Sequence, residues 1–392
     1  MSIAANVTPF REPDEPAEVA RPRTLPLIDP LLILAALGLV ACSLVTLHGI
    51  SPKLVARQGI YAGIGVLVAV VLARIDYSRL REYKLVLYGL MLALNLVVFG
   101  MPAIRGAHRW IPFPLLQFQS SEFGKMLLIV SLAAFAVDRA RRLHERRTTA
   151  RIMLLALIPA MVVIPQPDLG TGLVYVVVGF AILFVAGTSW KQLTALVAVF
   201  ASSIALVLAG APALGVHVLK PYQVQRLTGF LNPSRDPQKQ TYQIIESEIA
   251  IGSGGKVGQG VAHATQAGLG FLPAPDTDFI FAVVGETYGF VGAALVLSLY
   301  ALLIWRALRI LTMAKNLYGT LIAGGILAML MFQVFVNTGM TIGIMPITGV
   351  PLPLMSYGGS SVLVTFICLG LLQSIHIQAR MASAAKARAL VS

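Results

Sequence analysis

Long apolar runs separated by short polar turns recur along the chain, the first near residue 27 and the last near residue 378. An α-helix needs about 20 mostly apolar residues to cross the hydrocarbon core of a bilayer. Runs of that kind lie near 27–48, 56–74, 84–101, 121–138, 151–165, 169–187, 191–213, 280–305, 317–340 and 357–378. The pattern predicts an all-α polytopic membrane protein with about ten transmembrane helices, the fifth and sixth parted only by "IPQPDLGTG", where two prolines interrupt the helical pattern. An even count puts both termini on one side of the membrane.

The segments outside these runs differ in kind. Residues 1–25 are polar and Pro-rich, without the apolar core of a cleavable signal, and read as a disordered tail. The transmembrane domain follows over 26–380, and 381–392 forms a short C-terminal tail. Between the seventh and eighth spans, 214–279 is too long for a simple turn. Within it Ile244, Ile245, Ile249 and Ala250 alternate with Glu246 and Glu248 at roughly helical spacing. That predicts a short amphipathic helix from Tyr242 to Ile251 on the outer surface. The following "GSGGKVGQG" reads either as a flexible loop or as a phosphate cradle, although no strand precedes it as a nucleotide fingerprint requires.

Composition agrees with this outline, since 57% of residues are hydrophobic and 12% charged, with a mean hydropathy of +0.80. Soluble domains average nearer a quarter charged. The net charge of +13 could suggest nucleic acid, but the basic residues gather at span ends and not on a polar domain, so no nucleic-acid partner is expected. Arginine and lysine concentrate in "DYSRLREYK" (76–84), "DRARRLHERRTTAR" (138–151), "WRALRILTMAK" (305–315) and the C-terminal "ARMASAAKAR", all on one side under the ten-span reading. Retention of positive charge makes that side cytoplasmic, with both termini there and the 214–279 loop extracytoplasmic. Cys42 and Cys368 lie inside apolar runs and read as small core residues.

Carboxylates mark one place in this apolar chain. In "FLPAPDTDFIFAVVGE", Asp276, Asp278 and Glu286 sit where a polar loop becomes an apolar helix. A carboxylate there either caps free helical N–H groups or belongs to a functional site, and the residues alone leave both open for Asp278. Glu286 lies eight residues on, about 80° round and about 12 Å along the helix, too far to share a proton with Asp278. An interhelical hydrogen bond is the reading slightly favoured for it.

Several motifs in fixed order then carry a resemblance: "GAHRWIPFPLLQFQSSEFGK", "YQIIESEIAIGSGGKVGQG", "FLPAPDTDFIFAVVGETYGFVG" and "NTGMTIGIMPITGVPLPLMSYGGSS". Together they resemble the shape, elongation, division and sporulation (SEDS) family over nearly the whole chain, closer to its RodA-like elongation branch than to the division branch. "LKPYQVQRLTGFLNPSRDP" is elongation-type wording, and Thr348 stands where the division type usually carries lysine. Two departures stand out. The family's Pro-Glu-x-His-Thr-Asp is here Pro273, Ala274, Pro275, Asp276, Thr277 and Asp278, and its Pro-Ser-Glu is Ser120, Ser121 and Glu122.

The resemblance implies a peptidoglycan glycosyltransferase that polymerises lipid II on the outer face of the cytoplasmic membrane. It also implies a class B penicillin-binding protein as crosslinking partner and other membrane proteins of the elongation complex. Such chemistry deprotonates a sugar hydroxyl as it attacks an anomeric carbon, and the family's matching aspartate assigns the base to Asp278. The departing pyrophosphate needs cations, and Arg109 and then Lys125 are the first candidates, with Arg105, Lys220 and Arg226 also on or near the outer side. Glu122, three residues before Lys125, raises the competing reading of an intrahelical ion pair. Asp168 either shapes the groove or caps the sixth span. Ser356, Tyr357, Gly358 and Gly359 form an interrupted entry into the last span, and either border the expected site or serve simple re-entrant packing. A Mg²⁺ or Mn²⁺ ion bridging pyrophosphate to carboxylate is compatible with this chemistry, although no ligand cluster specifies one. Two rival classes stay open: a lipid II flippase or transporter, and a noncatalytic scaffold of the wall-synthesis complex, the latter kept alive by the lost glutamate and histidine.

Overall fold

The computed structural model describes residues 28–102, 109–112, 117–143, 145–210 and 240–389. The expected tail 1–25 and the candidates Arg105, Lys220 and Arg226 lie outside the described residues. The chain runs through α1 (Pro30–Ile50), α2 (Pro52–Arg74), α3 (Lys84–Val97), α4 (Ser120–Asp138), α5 (Arg146–Val163), α6 (Leu169–Val185) and α7 (Trp190–Ala205). After the long segment come α8 (Gln240–Gly254), the single turn α9 (Thr265–Gly268), α10 (Ile280–Met313), α11 (Leu317–Thr341) and α12 (Gly359–Ala389). A small antiparallel hairpin, β1 (Trp110–Pro112) and β2 (Gln117–Gln119), leads into α4 with Trp110 opposite Gln119.

Among the described residues seven helices are long and apolar enough to cross a membrane, and α3 and α6 are shorter apolar helices. The helix starts follow local chemistry more closely than hydropathy does. Proline occupies the first turn of both α1 and α2, where its missing N–H costs nothing. Asp29 caps α1 by accepting the Leu32 N–H at 3.2 Å. α2 therefore begins four residues ahead of the apolar run that marks it, and its first two turns hold the polar Lys53, Arg57 and Gln58. At their far ends α10 and α12 run on to Met313 and Ala389, beyond the runs that end near 305 and 378, so helix continues through 381–389.

α4 sits at the centre, buried from Ser120 to Phe135 apart from Phe123 and Met126, with α11 and α12 also largely enclosed. By contrast α7 presents Trp190, Val197 and Val199 outward, as a lipid-facing helix does. Small residues let helices approach closely. A Cβ on Gly370 of α12 would lie 2.8 Å from the Ala69 backbone of α2.

Polar contacts tie together the arginine-rich end of the bundle. Asp29, fully buried, receives the Arg306 guanidinium at 2.6 and 2.9 Å, while its backbone N–H donates to Gln373 at 3.0 Å. Arg81 and Lys84 both pair with Asp138. At the same end the Tyr77 hydroxyl donates to Asn316 at 3.1 Å. The opposite end gathers the N-termini of α2, α4, α6, α10 and α12, and it holds the candidate residues.

Candidate functional site

Asp278 belongs to a turn that two loops build jointly. Ala274, in the left-handed region at φ 47°, reverses the chain so that its carbonyl accepts the N–H groups of Thr277 and Phe279. α10 begins at Ile280 and its capping position falls on Phe279, so Asp278 stands one residue before the cap. The second loop, 342–358 between α11 and α12, and the end of α11 are stitched to this turn by three bonds, two from the loop and one from the helix. The Ser356 hydroxyl donates to Thr277 O at 2.6 Å, the Tyr357 N–H donates to Asp276 O at 2.8 Å, and the Asn337 amide donates to Asp278 O at 3.0 Å. Asn337 also donates to Val350 O at 2.8 Å, which fixes the second loop against the same helix end.

The Asp278 side chain is half-buried and lies over Gly349, where an added Cβ would meet Oδ2 at 3.5 Å. Gly349 has φ +71°, a conformation glycine adopts without steric cost. On the other flank of this segment, Gly170 at the start of α6 fits so closely that a Cβ would lie 2.7 Å from Thr348 O. The loop segment Thr348–Val350 thus separates Asp278 from the N-terminus of α6.

Behind that loop segment lies a second polar group. Asp168, 4% exposed, accepts the Thr171 N–H at 3.3 Å, the Ser121 hydroxyl at 2.7 Å and the Gln119 amide at 3.1 Å. It therefore caps α6 and joins α4 to it. Glu122 and Lys125 form a buried ion pair at 2.6 Å, 3% and 1% exposed, so the expected intrahelical pairing is present. Arg109 donates to Gln166 O at 3.0 Å and to Pro167 O, tying the β1 strand to the proline break before α6. As placed, neither Arg109 nor Lys125 presents its full charge to an open surface. Gln119 N–H donates to Ser360 at 2.9 Å, linking this group to the first turn of α12.

Glu286 has a different setting from the one expected. Fully buried, its carboxylate accepts two backbone N–H groups, from Gln266 at 2.7 Å and Ala267 at 3.0 Å, and holds down α9. Its partners come from the long loop and not from another spanning helix. The glycine-rich stretch also departs from both readings of it. α10 is broken at Gly289 (φ 63°, ψ −158°), which frees helical groups on either side. Gln259 N–H and Gly260 N–H donate to Glu286 O and Thr287 O at 2.9 and 3.0 Å, while Phe290 N–H and Val291 N–H donate to Gly255 O and Lys256 O at 2.9 and 3.1 Å. The loop completes the hydrogen bonding of a broken helix, and these N–H groups are not available for a phosphate. The predicted amphipathic helix exists as α8, but it packs inward: Ile244, Ser247 and Ala250 are buried, and the Ser247 hydroxyl donates to Thr341 O at 2.7 Å.

Ser356 and Tyr357 bond to the Asp278 turn, while the Gly358 N–H donates to Gln58 at 3.4 Å. Residues that escaped the sequence reading support them. Gln58, 1% exposed, donates to Ser356 O at 3.1 Å and to Ser43 at 3.3 Å, and Ser43 donates to Met355 O at 2.7 Å. Arg57, exposed beside Gln58, is a further cation at this end of the bundle. A buried amide inside an apolar span is the signal that would have found Asn337 and Gln58. Among the described residues no group of three or more His, Cys, Asp or Glu side chains is placed to hold a metal ion.

Comparison with known proteins fits this architecture. Residues 24–381 match the family model of the FtsW, RodA and SpoVE type, described as cell cycle protein. The chain is 38% identical over 360 residues to the peptidoglycan glycosyltransferase MrdB of Escherichia coli K12, covering 91% of this chain and 95% of that one. It is 34% identical to the peptidoglycan glycosyltransferase RodA of Treponema pallidum, covering 89% and 97%. Among solved structures, a chain from a peptidoglycan synthase complex that coordinates polymerization and crosslinking superposes with a TM-score of 0.76 at 34% identity, covering 90% and 98%. The rod shape determining protein RodA of Thermus thermophilus gives 0.64 at 30% identity, covering 89% and 96%. With residues 24–381 matched by the family model and nearly its full length covered by these relatives, this chain belongs to the FtsW/RodA/SpoVE family of cell cycle proteins.

Proposed function

We propose that this protein is a peptidoglycan glycosyltransferase of the elongation type, polymerising lipid II into glycan strands at the outer face of the cytoplasmic membrane. The observation that carries the reading is the half-exposed Asp278 carboxylate, held by a turn with three main-chain anchors at the end of the bundle opposite the arginines. That end is extracytoplasmic on the positive-inside argument, which leaves both termini in the cytoplasm. Relatives named MrdB and RodA, matched over nearly their full lengths, support the elongation branch, as does Thr348.

In this reading Asp278 accepts the proton of the acceptor sugar hydroxyl. The hydroxyl oxygen forms a bond to the anomeric carbon of the donor, and the bond from that carbon to the lipid pyrophosphate breaks. A carboxylate anchored through its own backbone keeps its position as the sugar arrives, which is the geometric demand of general base catalysis. Arg57, exposed at this end of the bundle, is a cation from which the leaving pyrophosphate draws compensation, with Lys220 and Arg226 of the long loop as further candidates by sequence, whereas Lys125 and Arg109 are engaged with Glu122 and with the Gln166 and Pro167 carbonyls. A Mg²⁺ or Mn²⁺ ion, if carried in by the pyrophosphate, would find Asp278 as a protein ligand and would neutralise developing charge. A class B penicillin-binding protein is the expected partner, consistent with the relative solved within a synthase complex.

The test uses the purified protein with its transpeptidase partner and fluorescent lipid II. Glycan ladders are expected. Movement of lipid II between leaflets without ladders would favour the transporter, and a folded complex showing neither would favour the scaffold.

A further inference from the structure

The amide of Asn337 is one of the most enclosed polar groups near Asp278, and its orientation is not free. Both of its hydrogen-bond acceptors, Asp278 O at 3.0 Å and Val350 O at 2.8 Å, are carbonyls, so Nδ2 must face them. Oδ1 then points the other way, where it is buried without a partner among the described residues. A buried acceptor left unpaired lowers stability, so the packing at this residue is not optimised for stability alone. What the arrangement secures is a fixed distance. Asn337 lies in the last turns of α11, and from that rigid element it grips two separate loops, one carrying the carboxylate and the other carrying the Gly349 surface beneath it.

We infer that Asn337 is a positioning residue that sets where the Asp278 carboxylate stands above the Thr348–Val350 loop segment, and so controls turnover without touching the substrate. The inference rests on the reading of Asp278 as base. Without the two bonds, the Asp278 turn keeps its tie through Ser356 and Thr277 but loses the one applied at the aspartate itself. A displacement of about 1 Å at a catalytic group can cost about 10²-fold in rate.

The experiment compares Asn337→Ser, which keeps one donor at shorter reach, and Asn337→Leu, which keeps volume and no donor, with wild type and Asp278→Ala. Each is assayed as the assembled complex on lipid II, per folded molecule as judged by monodisperse elution and thermal unfolding. The expected result is a kcat reduced about 10²-fold in Asn337→Leu and less in Asn337→Ser, with KM for lipid II within about twofold of wild type. A residue that merely holds the fold together would lower the folded fraction and leave kcat per folded molecule unchanged, and that outcome in Asn337→Ser overturns the inference. If Asp278→Ala retains full activity, the base assignment itself falls, whatever the Asn337 variants do.

Discussion

Gly258 offers a sharp test of how the long loop is built into the bundle. It has φ +85°, and a Cβ placed on it would stand 2.2 Å from Thr287 O and 2.4 Å from Thr287 C. Thr287 is α10 backbone and cannot yield as a flexible side chain would, so Gly258→Ala must push the loop off the break at Gly289. Four main-chain hydrogen bonds cross that contact. At about 1 kcal/mol net for each, their loss costs about 4 kcal/mol. The left-handed backbone adds about 1–2 kcal/mol for a residue with a Cβ. The sum, about 5–6 kcal/mol, rivals the whole stability of many domains. Gly260 supplies the control, because it has a similar φ of +76° with nothing within 4 Å of its Cβ position. Gly260→Ala should therefore cost only the strain of about 1–2 kcal/mol. Thermal unfolding in detergent, with protease cleavage between 255 and 270 as a local probe, should rank Gly258→Ala far below Gly260→Ala. Equal effects of the two would refute the docking argument.

Other outcomes follow from single contacts. Glu286→Gln replaces one acceptor oxygen by an NH₂ facing the N–H donors of α9, and should destabilise by about 2–3 kcal/mol, read as a lowered unfolding temperature. Arg306→Met strands the buried Asp29 carboxylate and should cost about 3–5 kcal/mol, while adding Asp29→Asn should recover much of that loss in the same unfolding assay. Asp276→Ala keeps the main-chain carbonyl that binds Tyr357, so polymerisation should stay within a few-fold of wild type; a loss as deep as that of Asp278→Ala would mean that the base is misassigned.

Most spans were legible because they are apolar runs of membrane length, although α3 and α6 are shorter, and the charge-bearing turns because arginine clusters there. Hydropathy placed the start of α2 late, since it cannot see that Pro52 opens a helix whose first turns hold Lys53, Arg57 and Gln58. It also stopped α10 and α12 where arginines and polar residues begin to interrupt the apolar run, although both helices continue through them. At the site, carboxylates in an apolar chain drew attention to Asp278, Glu286 and Asp168. The cap role of Asp168 was legible, but the partners of the other two were not, because they are groups distant in sequence: the Gln266 and Ala267 N–H groups for Glu286, and Asn337 for the Asp278 turn. The glycine-rich stretch misled for the same reason. Exposed N–H groups on a flexible loop suggest an anion, and only the break at Gly289, 29 residues beyond Gly260, shows what they bind.

The role of the Asp278 carboxylate is tested most directly by single-turnover polymerisation with Asp278→Asn, which preserves size and backbone anchors while removing the basic oxygen. On protein that unfolds at the wild-type temperature and assembles with its partner, the rate should fall by about 10²–10⁴-fold with lipid II binding retained. A rate within a few-fold of wild type would contradict the assignment and leave Asp278 a structural residue.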